Sequence, residues 1–178
     1  MSIVSSPTNV AFFGTPEFAV PTLLGLVESP EINLQIVVTQ PDRPAGRKSS
    51  PSFTAVKAAA VDHEIPHILQ PSHIDDDFLT TLTSLNVEAI IVIASGHMLP
   101  KALCEHYGDR IVNLHASLLP RHRGASPVSA ALLSGDSATG VSLMQVVHKL
   151  DSGPIFAQKT LQISESDTTD SLSLSLSL

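Results

Sequence analysis

Apolar residues along the chain fall in short runs, separated by stretches with helical spacing or turn-forming composition. Val10-Ala11-Phe12-Phe13 is the first run, and Gly14 closes it. Thr15, Pro16 and Glu17 follow, supplying a capping hydroxyl, a proline suited to a first helical turn and an acid for the positive end of the dipole. Pro21 would lose a hydrogen bond inside a regular helix, so the longer helix is expected to start there and run through Leu23, Leu24 and Val27. A second strand is expected from Leu34 to Thr39, where Ile36, Val37 and Val38 are β-branched neighbours. It stops at Gln40-Pro41-Asp42-Arg43-Pro44-Ala45-Gly46, whose prolines and glycine predict an ordered loop.

Ala55 to Val61 is alanine-rich and helical, His67 to Leu69 a short strand, and Phe78, Leu79, Leu82 and Leu85 recur at helical spacing. Ala89 to Ala94 and Arg110 to Leu114 predict further strands, and Pro127 to Leu133 a helix. Val141 to Val147 and Ile155 to Lys159 predict a terminal hairpin around Asp151-Ser152-Gly153-Pro154. Strands apolar on both faces, alternating with helices, specify a doubly wound, mostly parallel α/β sheet with helices on both sides. Ligands in such sheets bind beyond the carboxyl ends of the strands, so the residues after Phe13, Thr39, Ile93 and Leu114 come into question. Ser171 to Leu178 alternates Ser and Leu throughout and reads as a low-complexity tail rather than a designed element.

Composition narrows the function classes. With 178 residues, 43% hydrophobic and 15% charged, the chain can bury a core without metal or disulfide staples. The apolar runs are far too short to span a bilayer, and no export signal opens the chain, so no membrane contact is expected. A single cysteine, Cys104, fits a reducing, cytoplasmic setting and reads as a buried thiol. The net charge of −7 argues against bulk capture of nucleic acid. Local basic spots remain, because residues 110–123 carry Arg110, Arg121 and Arg123 and no acid.

Several nucleotide and metal motifs can be set aside. Gly14-Thr15-Pro16-Glu17-Phe18-Ala19 lacks the dinucleotide fingerprint, and no phosphate-loop sequence is present. His63-Glu64-Ile65-Pro66-His67 matches the zinc-protease string HExxH, but Pro66 disfavours the continuous helix that would put both imidazoles on one face. No metal is expected. The densest polar stretch is Asn113-Leu114-His115-Ala116-Ser117-Leu118-Leu119-Pro120-Arg121-His122-Arg123-Gly124, just where a ligand should lie. On a strand Asn113 and His115 share a face. That pair suits acyl transfer: an amide N–H can stabilise an oxyanion while an imidazole handles protons or adds a second donor. Asp151 can orient that imidazole from the hairpin, or equally form an ordinary turn before Gly153.

Gly14 to Ala19, Gln40-Pro41-Asp42-Arg43-Pro44-Ala45-Gly46-Arg47 and Asn113 to Gly124, in this order and spacing, resemble the N-terminal formyltransferase domain of the methionyl-tRNA formyltransferases. The resemblance covers about residues 9–171; residues 8–170 would form the formyltransferase domain and 171–178 the tail. It implies Asn113, His115 and Asp151 at the catalytic positions and Ser117, Leu118, Leu119 and Pro120 in the folate-binding segment, with Val92 to Gly96 helping to line the pterin pocket. It implies Arg43, Arg47 and Lys48 on a loop facing the tRNA acceptor end. The implied formyl donor is 10-formyltetrahydrofolate, the partner initiator methionyl-tRNA, and the form a cytoplasmic monomer acting in translation initiation. The family's C-terminal β-barrel is not represented in these residues, and the expectation is a truncated chain that keeps folate and binds tRNA weakly. Two other readings stay open: transfer to a small amine such as glycinamide ribonucleotide or an amino sugar, and an inactive folate-binding module.

Overall fold

The computed structural model describes residues 6–44 and 51–178. Strand β1 (Thr8–Gly14) leads through a 3-10 turn, Glu17–Ala19, into helix α1 (Val20–Glu28) and strand β2 (Ile32–Val38). Two short strands, β3 (Arg43–Pro44) and β4 (Pro51–Ser52), pair antiparallel beyond the end of β2. Helix α2 (Ala55–Asp62), strand β5 (His67–Leu69), helix α3 (Phe78–Ser84) and strand β6 (Ala89–Ile93) complete the first half. Helix α4 (Lys101–Tyr107), strand β7 (Ile111–His115), helix α5 (Pro127–Leu133), the hairpin of β8 (Ala138–Gln145) and β9 (Ile155–Gln162), and helix α6 (Thr169–Ser177) follow. Among the described residues no helix is long and apolar enough to cross a membrane.

The main sheet runs β5-β2-β1-β6-β7-β8-β9, parallel from β5 to β7 and antiparallel at the β8 and β9 edge. This is the doubly wound, mostly parallel architecture the apolar runs predict. Alternation along β1 sends Ala11 and Phe13 to one face and Val10 and Phe12 to the other. The first face packs on α3 and α4 through Phe78, Leu82, Leu103 and Tyr107. The second packs on α1 and α2 through Leu23, Val56 and Ala60. Both faces are therefore dry around β1, which is why its segment Val10–Phe13 is apolar at every position.

Three details depart from the sequence expectations. Thr15 does not cap a helix. Its hydroxyl donates to the Ser95 carbonyl at 2.8 Å and accepts the Gln40 N–H at 3.3 Å, tying together the loops after β1, β2 and β6. Helix α4 lies in a stretch where the apolar pattern announces no element: it is short, and Leu103, Cys104 and Tyr107 are its buried face. The Ser-Leu segment, whose composition suggests a low-complexity tail, is helical.

The reason for that correction lies in helical geometry. Leucines at every second position advance by about 200° on a helix, so those four residues apart return to one face. Leu172 and Leu176 are accordingly buried against Ala116 and Val128, while Leu174 and Leu178 face solvent. The helix starts at a reciprocal capping box, in which the Thr168 hydroxyl accepts the Ser171 N–H and the Ser171 hydroxyl accepts the Thr168 N–H. Leu172→Ala is expected to lower unfolding stability by about 2–5 kcal/mol. Leu174→Ala on the opposite side should change it by less than about 0.5 kcal/mol. Equal effects in paired denaturation curves would remove the helical packing of this segment.

Candidate active site

Strands β1, β2, β6 and β7 are parallel, so their carboxyl ends share one edge of the sheet, and a cleft of about 780 Å³ opens there. Val92, Ala94, Ser95 and Gly96 line it from the end of β6, Asn113 to Ala116 from the end of β7, and Met144 and Val146 from β8 and just beyond. Residues 124–129 form one wall, and Leu150 and Asp151 of the β8–β9 connection another. Thr169 and Ser173 of α6 reach the same cleft, so the segment assigned to a tail contributes to its wall.

Asn113 is half-buried on β7, in register with Val92 of β6 and Met144 of β8. Among the described residues its side-chain amide meets no protein partner, so both its N–H bonds can serve a ligand. His115, two residues on, is buried and points to the same side. Its Nε2 lies 2.9 Å from the carbonyl oxygen of His122. A carbonyl can only accept, so Nε2 carries the proton and the lone pair of the neutral ring sits on Nδ1.

Nδ1 faces Asp151, whose Oδ2 is 3.8 Å away. The separation is too long for a direct hydrogen bond but short enough for the carboxylate to act on charge at the ring, directly or through one water. Asp151 is itself held firmly. The Gly124 N–H donates to its Oδ2 at 2.7 Å, and its backbone is left-handed with φ of +43°. Asp tolerates that region better than most side chains. Gly153 permits the turn that brings it there, since a Cβ at this position would stand 2.0 Å from the Gln145 carbonyl oxygen.

Ser117, Leu118, Leu119 and Pro120 are placed differently from the catalytic candidates. They turn behind the cleft rather than lining it. The Ser142 hydroxyl donates to the Ser117 carbonyl at 2.6 Å and accepts the Leu119 N–H at 3.0 Å. The Gln158 amide donates to the Leu119 carbonyl at 3.1 Å and to Ser142 Oγ at 2.8 Å. Leu118 packs so closely on Gly140 that a Cβ there would lie 2.6 Å from its Cδ2.

Arg43 is exposed at the base of the β3–β4 ribbon, whereas Arg47 and Lys48 lie outside the described residues. The ribbon's root is anchored by Asp42, which pairs with the Lys57 ammonium and accepts from Gln70 Nε2 at 2.8 Å. Hydrogen bonds from Lys57 and then Gln70 hold the Asp42 carboxyl below the ordinary carboxylate range. His63 and His67 are not on one helical face: α2 ends at Asp62, Glu64 turns with φ of +53°, and His67 begins β5. Cys104 is buried on α4, and that burial pushes its thiol pKa up, away from reactivity.

Residues 8–177 match the formyl transferase family. The chain belongs to that family. Two similar curated proteins are the methionyl-tRNA formyltransferases of Thermodesulfovibrio yellowstonii, 44% identical over 172 residues, and Legionella pneumophila, 44% identical over 165 residues. The matches cover 96% and 92% of this chain but 55% and 52% of those proteins, so the chain spans about half the length of the curated relatives it matches. Among solved structures, phosphoribosylglycinamide formyltransferase from Anaplasma phagocytophilum superposes with a TM-score of 0.79 at 22% identity, covering 96% of this chain and 80% of that one. That likeness carries the fold.

In this formyl transferase chain the strand-borne pair Asn113 and His115 is legible in the sequence, whereas the groups that brace the surrounding site are not. Gly124 is one such element: its φ of +98° suits glycine alone, and it supplies the N–H that fixes Asp151. The polar run ending in glycine was its only trace in the sequence. Ser142 and Gln158, on the antiparallel strands, left none, because their partners lie 25 and 39 residues away.

Proposed function

We propose that this domain transfers a formyl group from 10-formyltetrahydrofolate to the α-amine of methionyl-tRNA, in the cytoplasm, for translation initiation. The observation that carries the reading is the convergence of Asn113, His115 and Asp151 in one cleft. The names of the curated relatives favour the tRNA-borne amine over a small one.

The cleft fits a folate. Its volume is that of a small-molecule site, and Val92, Leu99, Val146 and Val147 give it an apolar wall suited to a flat ring. Met98 and Leu150 line it while remaining 72% and 62% exposed, apolar surface that a bound ring would cover. The donor, when bound, supplies an activated formyl group on its N10. Asn113 donates an N–H to the formyl oxygen as negative charge grows there. His115 Nδ1 receives the proton that the attacking amine loses as the new carbon–nitrogen bond forms. Asp151 compensates the charge this places on the ring, and the proton passes on to N10 as the old carbon–nitrogen bond breaks. Ser117 to Pro120, the folate-binding segment of the resemblance, buttress the end of β7 from behind through Ser142 and Gln158.

The test offers the full 178-residue chain methionyl-tRNA and glycinamide ribonucleotide in parallel, with 10-formyltetrahydrofolate in excess, and measures formylated product. Methionyl-tRNA should be the faster acceptor. Arg43→Ala should raise KM for the tRNA and flatten its salt dependence by about one phosphate contact, with kcat unchanged. Faster formylation of glycinamide ribonucleotide would replace the tRNA reading by the small-amine one. Folate binding without turnover on either acceptor would leave only a binding module.

A further inference from the structure

One set of titratable groups is not used by the chemistry above. It lies directly behind His115. Arg121, His122 and Asp136 form a compact cluster beyond the turn that follows β7. Arg121 Nη2 is 2.5 Å from Asp136 Oδ1, and His122 Nε2 is 2.7 Å from Asp136 Oδ2. The Asp136 side chain is only 8% exposed. Hydrogen bonding from the His122 ring, and after it from Arg121, keeps its carboxyl below the ordinary carboxylate range. The Arg121 carbonyl is in turn the acceptor for the Ser117 hydroxyl, at 2.7 Å.

His122 itself has a left-handed backbone, with φ of +51°. That conformation is uncommon for a residue with a Cβ and persists only where surrounding contacts hold it. The ring's bond to Asp136 is such a contact. The consequence reaches the cleft, because it is the His122 carbonyl that accepts from His115 Nε2 at 2.9 Å. We propose that Asp136 is a positioning residue for His115: by gripping the His122 ring it holds the His122 carbonyl in the direction that keeps the proton on Nε2 and leaves Nδ1 toward Asp151. The assignment rests on His115 being the group that handles the proton. Asp136 touches neither substrate nor reacting atoms. Its position at the end of α5, where its N–H closes the helix on the Ala131 carbonyl at 3.1 Å, makes it a fixed post rather than a mobile side chain.

The test reads the His115 tautomer by NMR in the full chain carrying isotope-labelled histidine, alongside steady-state formyl transfer. In the parent protein His115 should be the Nε2–H form. Asp136→Ala should give a mixture of tautomers and lower kcat by about tenfold or more, a loss typical of an outer partner of a functional histidine, with KM for the folate little changed. Asp136→Asn keeps an acceptor oxygen for the His122 ring and should preserve the tautomer, which also guards against a variant that fails to fold. In a His122→Gly background the left-handed backbone carries no steric penalty, so adding Asp136→Ala should cause little further loss. An unchanged tautomer and kcat in Asp136→Ala would overturn the proposal. So would an equal loss from Asp136→Ala in the parent and His122→Gly backgrounds. The tautomer is read without turnover, so a chain that transfers no formyl group would refute the proposed activity and leave this positioning role to be judged by itself.

Discussion

His115→Ala is expected to lower the rate of formyl transfer by about two orders of magnitude or more, with Asn113→Ala causing a loss of the same size. The two variants should differ in stability. His115 is buried, and its removal leaves the His122 carbonyl without its partner, a cost of about 1–3 kcal/mol. Against a usual reserve of about 5–15 kcal/mol the chain should still fold. Asn113 is half-buried and makes no side-chain bond among the described residues, so its truncation should change stability by less than about 0.5 kcal/mol. A residue whose removal is nearly free for folding but costly for turnover is one kept for the reaction. Thermal denaturation together with kcat at saturating folate separates these effects. Near-normal turnover in either folded variant would remove that residue from the proposed chemistry.

The parts of this fold that were legible in the sequence are those whose signal is local. Strands β1, β2 and β6 announce themselves because both faces are covered where they cross the core, so Val10–Phe13, Ile36–Val38 and Ala89–Ile93 are unbroken apolar runs. Asn113 and His115 are readable as a pair because strand periodicity alone places them on one face. Asp151 was ambiguous for the opposite reason. The Gly153 turn is local, but the approach to His115 also depends on the β7–β8–β9 pairing and the Gly124 N–H, neither of which is set by neighbours in sequence. The Ser-Leu segment illustrates a failure of periodicity itself. Alternation is the signature of a half-buried strand, yet the same spacing contains a four-residue repeat that a helix can bury. Packing of Leu172 and Leu176 on Ala116 and Val128 decides between the two, and that surface exists only once β7 and α5 are assembled.

Asp151→Asn is expected to separate binding from chemistry. An asparagine side chain keeps the shape of aspartate and tolerates the left-handed backbone at φ of +43° equally well. Its amide oxygen can still accept the Gly124 N–H, so the wall formed by residues 124–129 should stay in place. What disappears is the negative charge 3.8 Å from His115 Nδ1, the charge that stabilises the ring once it has taken a proton. Folate affinity should therefore hold, while single-turnover formyl transfer falls by about two orders of magnitude. Asp151→Ala should behave differently. It strands the Gly124 N–H, leaves an ordinary side chain in a left-handed backbone, and so should weaken folate binding and stability together with the rate. Folate titration by fluorescence and rapid-quench transfer assays on the two variants give the comparison. If Asp151→Asn binds folate and transfers at nearly the parent rate, the carboxylate's charge is not used in the reaction. If it loses folate binding in step with the rate, Asp151 shapes the pocket rather than the proton transfer.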